Sequence, residues 1–176
     1  MALTTPRLLV RPMTDDDAPF ILRLLNEPSF LHFIGDKAVR DLDDARRYIA
    51  SGPGESYARF GFGLYLVLCR DSGLPAGICG LVQRPSLRDV DLGFAFVPEY
   101  WSQGFAAEAS AAVLHEAWER FELARVVAVT VAENARSIRL LERLGFRFDR
   151  IAHPFGADDP VNLYVLDRPD DASAAL

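Results

Sequence analysis

Cysteine is scarce in this chain: Cys69 and Cys79 are the only two among 176 residues, too few for a disulfide framework. Each lies inside a β-like run, and the two could be neighbours across a hairpin. In a reducing compartment they read as small buried hydrophobes. Basic excess is also lacking, with 19 Lys and Arg against 25 Asp and Glu for a net charge of −6. No broad positive field exists for nucleic acid, although a local pocket for phosphate stays open. The longest apolar run, residues 60–69, is broken by two glycines and is about half of a membrane span. No cationic segment followed by an apolar run opens the chain, so a cytoplasmic protein without membrane attachment is expected. A phosphate-binding loop of the Gly-Lys-Ser or Gly-Lys-Thr kind is missing, and no spacing of His or Cys suggests a metal.

What is present is ordinary globular material: 50% hydrophobic and 25% charged residues, enough for one core. Residues 1–168 read as a single domain and 169–176 as an acidic, small-residue tail expected to be disordered. Arg7 to Pro12 reads as a first strand, and Thr14 with three aspartates opens a helix to about Asn26, ended by Pro28. A short helix is expected around Asp41 to Ala50, followed by a flexible Gly52-Pro53-Gly54 loop. Phe60 to Cys69 and Ile78 to Gln83 form an expected hairpin, and Asp89 to Val97 the next strand. A helix from about Ala106 to Phe121 leads to Arg125 to Val131, apolar on both faces like a central strand. The helix Ala135 to Leu144 and strands Phe146 to His153 and Asn162 to Leu166 complete a mixed sheet.

Two constellations carry the chemistry. In the first, Pro98-Glu-Tyr-Trp-Ser-Gln-Gly-Phe-Ala-Ala-Glu-Ala109 joins a strand to a long helix through a small-residue turn. Gly104 allows close backbone approach, and the first helical amides, at the positive end of the helix dipole, suit a diphosphate. In the second, Asn134-Ala-Arg-Ser137 opens a helix that stops at Leu144-Gly145-Phe146, with Gly145 as the residue that closes it. In this order and spacing, across roughly Pro6 to Arg168, they resemble the GNAT superfamily of acyl-CoA-dependent N-acyltransferases. Residues 99–109 look most like the branch that acetylates ribosomal-protein N-termini, which also holds enzymes of other specificity.

The resemblance implies an α+β fold: a mixed, mostly antiparallel twisted sheet of six or seven strands with a splayed parallel pair, flanked by about four helices. It also implies acetyl-CoA as acyl donor and an uncharged amine as acceptor. Backbone amides of Ser102, Gln103, Gly104, Phe105 and Ala106 would cradle the diphosphate; a plain helix-capping loop is the alternative. A bulged strand would offer the backbone of Phe96 and Val97 to the pantetheine arm and the thioester carbonyl. Asn134 would bind the same arm. Arg136 would reach the nucleotide 3′-phosphate, and His32 would touch the acceptor.

An α-amine has a pKa near 8, so a base must take its proton before attack. Asp91 stands where the branch often carries Glu in a Glu-hydrophobe-Gly pattern; a solvent-facing carboxylate at a strand edge is the other reading. Glu108 in the first helical turn is explained by the helix dipole. The family's usual acid, a Tyr seven residues after the helix-opening Asn, is Leu141 here. Ser137 matches the Ser that the ribosomal-protein branch holds near the sulfur, although Asn134 and Ser137 are also good helix initiators. Trp101 replaces the Arg or Gln with which many relatives start the loop. Segments 26–39, 52–59 and 154–161 would choose the amine: a peptide N-terminus, an amino acid, a polyamine or an antibiotic. The expectation is an N-acetyltransferase working by direct attack in a ternary complex, as a monomer or homodimer. The rival is a catalytically weak acyl-CoA-binding sensor.

Overall fold

Alternating apolar residues build the first strands, and helices cover both faces of the sheet they form. The computed structural model describes residues 2–169; the expected tail lies, from residue 170 on, outside the described residues. Eight strands pair in one sheet: β1 (Leu3–Thr4), β2 (Leu8–Arg11), β3 (Leu64–Cys69), β4 (Pro75–Val82), β5 (Val90–Phe96), β6 (Arg125–Thr130), β7 (Arg147–Ala152) and β8 (Val161–Asp167). Their order is β1-β2-β3-β4-β5-β6-β8-β7, antiparallel throughout except for the β5–β6 pair.

The expected mixed sheet is therefore present. It has more pieces than the expected six or seven strands because the two-residue β1 caps the edge. Among the described residues six α-helices flank the sheet where about four were expected: α1 (Ala18–Leu25), α2 (Pro28–Phe33), α3 (Leu42–Ile49), α4 (Glu55–Phe60), α5 (Phe105–Glu119) and α6 (Ala135–Arg143). The additions, α2 and α4, are six residues each and too short for a periodic signal.

The alternation in β3 separates two cores. Tyr65 and Val67 join Phe105, Ala109, Val113 and Leu141 beneath α5 and α6, whereas Leu66 joins Ile21, Leu24, Ala45 and Ile49 beneath α1 and α3. β6 is buried on both faces, as its Val-rich run suggested. Cys69 lies opposite Leu8 and Cys79 opposite Tyr65, so the two cysteines are not cross-strand neighbours; both are free and buried.

Two local readings change. Pro28 does not only end α1; it occupies the first turn of α2, where a missing N–H leaves nothing unpaired. Residues 52–54 are not a flexible loop but part of a wide helical turn, Ala50–Gly54, that runs from α3 into α4 with Pro53 buried. The strand expected from Phe60 consequently begins at Leu64, after Gly61 closes α4 at φ +78°. The reading of Gly145 holds: at φ +94° it donates to Glu142, while Phe146 donates back to Leu141. That is the paired closure of a helix by a left-handed glycine.

Candidate functional site

The parallel pairing of β5 and β6 is confined to Val90↔Val126 and Asp91↔Val127. Beyond it β6 follows β8 and β5 follows β4, so the sheet opens into a fork. β5 keeps one unbroken register with β4 from Gly77↔Phe96 to Val82↔Asp91; the expected bulge is not there, and divergence of β6 alone makes the opening.

Hydrogen-bonding direction alternates along an antiparallel strand. Val97 donates its N–H to Ala76 at 3.1 Å, towards β4, so Phe96 and Phe94 present theirs to the open side. Val97 is also fully buried, which removes it from the positions expected to face the acyl donor. Phe94, whose side chain reads from the sequence as a core aromatic, and Ala95, which the sequence did not mark, line the opening instead. The carbonyl of Phe96 is already occupied, accepting from the Trp101 indole at 2.7 Å.

On one side of the fork a cavity of about 510 Å³ runs over the strand-to-helix turn. Ser102 at φ +59° and Gly104 at φ +82° fold the chain back on itself, and α5 starts with no side chain capping its amides. Ser102, Gly104, Phe105 and Ala106 line this cavity. Gln103 does not: its side chain donates to Glu99 O at 2.6 Å, and its carbonyl accepts from Arg7 at 2.8 Å. Glu108 is bound to Thr5 at 2.6 Å and Arg7 at 2.6 Å. Burial alone would raise its pKa, but those partners hold it below the usual value, and the group serves the N-terminal strands. Arg136 stacks 4.3 Å above the Trp101 ring, and Arg139 and Arg143 line the same cavity. Among the described residues none of the three has an acidic partner. Their spacing of three and seven residues puts them on one helix face.

On the other side a cleft of about 1100 Å³ takes its walls from all three expected segments, through residues such as Phe33, Lys37, Ser56, Phe155 and Asp159. The two cavities share Phe30, Phe33, Ile34, Phe94, Ala95, Asn134 and Ser137, so they meet at the fork. Asn134 caps α6, its Oδ1 accepting from the Ser137 N–H at 3.1 Å, and this turns the first residues of α6 towards the junction. Leu141, one turn on, is fully buried and adds only hydrocarbon to the cleft floor.

Asp91 sits at the base of the cleft and is 1% exposed, which overturns the reading of a solvent-facing edge carboxylate. Its Oδ2 accepts from Arg84 Nε at 2.6 Å; its Oδ1 is buried and makes no well-formed hydrogen bond, although the Val129 N–H faces the carboxyl group. Burial pushes its pKa above the carboxylate range, and the adjacent guanidinium only partly opposes that. Arg84 escaped the sequence reading, although it stands just beyond Val82, which the β4–β5 register sets opposite Asp91. It also stacks on Phe155 at 5.2 Å. His32 lines the cleft beside Phe33, exposed and edge-on to that ring at 4.5 Å. His115 and His153 line neither cavity.

A fork in a sheet, a helix N-terminus on one side and a walled cleft on the other form a two-substrate site, and the comparisons give it a family. Residues 7–147 match the acetyltransferase (GNAT) domain model. The chain is 26% identical to the uncharacterized N-acetyltransferase YoaA of Bacillus subtilis (strain 168), over 95% of this chain and 97% of the relative. Among solved structures it is similar to an acetyltransferase from Agrobacterium tumefaciens, with a TM-score of 0.82 at 24% identity over 96% and 95% of the two chains. It is also similar to the ribosomal L7/L12 α-N-protein acetyltransferase RimL in complex with coenzyme A, with a TM-score of 0.75 at 16% identity over 95% and 98%. By its sequence match, with the fold in agreement, this chain belongs to the GNAT family and is an N-acetyltransferase.

Proposed function

We propose that the protein moves an acetyl group from acetyl-CoA to a primary amine by direct attack, with both substrates bound at once. The observation that carries this reading is the meeting of two cavities, one of each kind, at Phe94, Ala95, Asn134 and Ser137. The residues present suit the acyl donor. Uncapped amides of Ser102, Phe105 and Ala106 beside the Cβ-free Gly104 receive the diphosphate. Arg136, Arg139 and Arg143 give the nucleotide phosphate unpaired cations. Phe94 and the N–H of Phe96 hold the pantetheine arm, with Asn134 opposite.

Acetyl-CoA brings an activated thioester; the chain supplies position and proton traffic. An N–H on the open side of β5, aimed at the thioester carbonyl, is worth about 3 kcal/mol of barrier. The raised pKa of Asp91 makes it a better base than an ordinary carboxylate, and its Oδ1, which makes no well-formed hydrogen bond, receives the amine proton directly or through one water. Ser137 stands at the junction and donates to the departing sulfur, a role that Leu141 has no group to fill.

The test is a calorimetric titration with acetyl-CoA, beside Gly104→Glu, followed by an amine panel read by free-thiol release. Binding lost in the variant, with amine-dependent thiol release by the wild type, supports the proposal. Absence of binding to the wild type sinks the cofactor assignment. Binding without turnover on any amine leaves the sensor reading.

A further inference from the structure

Charge in the acceptor cleft is arranged in two zones. Glu55, Glu133, Asp158 and Asp159 are exposed at its rim, where water screens them. His32 and Arg59, also exposed, add an imidazole and a guanidinium to the same rim. A different set meets around Arg84, which is half-buried. Its Nε is committed to Asp91 and its ring partner is Phe155, but its two Nη groups make no hydrogen bond among the described residues. Lys37, the sole lysine of the chain, is itself exposed; it lines the same cleft and has no carboxylate partner among the described residues. It is close enough to Arg84 that, after lost hydration, the guanidinium further lowers its pKa. Tyr48, on α3, also lines the cleft and feels the charge of Arg84, and its hydroxyl has no hydrogen-bond partner among the described residues.

Two cations near one another, of which only Arg84 has a carboxylate partner, leave room for a second anion. In the same network, Asp91 Oδ1 is a buried acceptor without a well-formed hydrogen bond, a state that stays unfavourable until a stronger donor arrives. One ligand answers both needs if it carries a positive and a negative group on neighbouring atoms. We propose that the acceptor is a zwitterion, a free α-amino acid. Its ammonium meets Asp91 Oδ1, and its carboxylate sits among Lys37, the Tyr48 hydroxyl and the Arg84 Nη groups. A peptide N-terminus offers an amide where the carboxylate is needed, and a polyamine brings further positive charge to Lys37. In the transfer, the ammonium loses one proton to Asp91, the neutral amine forms the N–C bond to the acetyl carbon, and the second N–H proton passes through Ser137 to the departing sulfur. The C–S bond breaks, and the sulfur leaves as a thiol once protonated.

This inference rests on the acetyl-transfer reading, and the experiment separates the two. The common α-amino acids, each paired with its carboxamide, are assayed with spermidine and dialanine by acetyl-CoA-dependent thiol release. Each is also titrated calorimetrically into the CoA-loaded protein. The expected result is at least tenfold preference for one or more free acids over the matching carboxamides, in kcat/KM or in affinity. Lys37→Gln should collapse that ratio towards one, and Lys37→Arg should keep most of it; a merely structural lysine would not move the ratio. Carboxamides, dialanine or spermidine used as well as the acids, or no amino acid bound by the CoA-loaded protein, overturns the proposal. Failure to bind acetyl-CoA overturns the parent reading instead.

Discussion

Replacing Asp91 by Asn tests the chemistry while leaving the shape of the cleft in place. The side chain is buried beside Arg84, and Asn matches it in volume but has no charge and no useful basicity. A positioned general base contributes about 10²–10⁴-fold to rate, so kcat should fall by that factor. Stability should barely move, because two effects oppose. The folded pKa of Asp91 is raised above its unfolded value, so ionising it at neutral pH costs folding free energy that Asn does not. Against this, Arg84 loses its anion, but its side chain is 29% exposed and reaches water. The net change is within about 1–2 kcal/mol. The acid limb of the wild-type kcat/KM profile should lie above the ordinary carboxylate value of about 4, because the base works deprotonated and its pKa is raised. Steady-state thiol release across pH, a thermal melt and an acetyl-CoA titration measure the three quantities. A variant that keeps kcat within about threefold, with its acid limb intact, would falsify the assignment of Asp91 as base.

Gly104→Ala should lower the melting temperature by a few degrees, since a left-handed φ of +82° costs a side chain about 1–2 kcal/mol. Its Cβ would lie 3.3 Å from the movable end of Arg7, so Ala should retain measurable acetyl-CoA affinity in calorimetry while Glu abolishes it. Arg139→Ala should weaken acetyl-CoA more than its 3′-dephospho analogue; equal losses for both would move that arginine off the 3′-phosphate. Ser137→Ala should cut kcat while the acetyl-CoA dissociation constant holds, and an unchanged kcat would assign sulfur protonation to water. Asp17→Asn should cost about 1–3 kcal/mol in urea unfolding at pH 7, by breaking the paired 2.8 Å hydrogen bonds with Arg11. Burial favours a higher pKa for Asp17, yet Arg11 and Thr14 hold it below the usual value. Its stabilisation is therefore complete above the unfolded pKa and fades as pH falls through the folded one, so wild type and variant should converge in acid.

The half of the site proposed for the acyl donor was legible because its signals are local. A small-residue turn after an apolar strand, an Asn that caps a helix and a Gly that closes it each act within a few residues, and Ser102, Gly104 and Asn134 line one cavity. The acceptor half was not, because its key pair spans a hairpin: Arg84 reaches Asp91 only through the β4–β5 register. Val97 was misassigned because hydrogen-bond direction alternates with each residue, and a shift of one position turns a donor from the opening to the sheet. The Gly-Pro-Gly stretch read as a loop because glycine and proline disfavour helices locally. Burial of Pro53 between α3 and α4 prevails over that preference.

Trp101 shows how a departure from the family pattern can be absorbed. Where relatives place a cationic or amide side chain, an indole does two other things at once. Its N–H takes the Phe96 carbonyl, which leaves Phe94 and the Phe96 N–H as the groups on the open edge of β5. Its ring supports Arg136 from below at 4.3 Å. Contact with an aromatic face costs a guanidinium little hydration and restricts its rotamers, so Arg136 is held ready for an anion before one arrives. In the proposed donor site, the positive charge that the loop lacks thus comes from α6, through an arginine that stacks on the indole in its place.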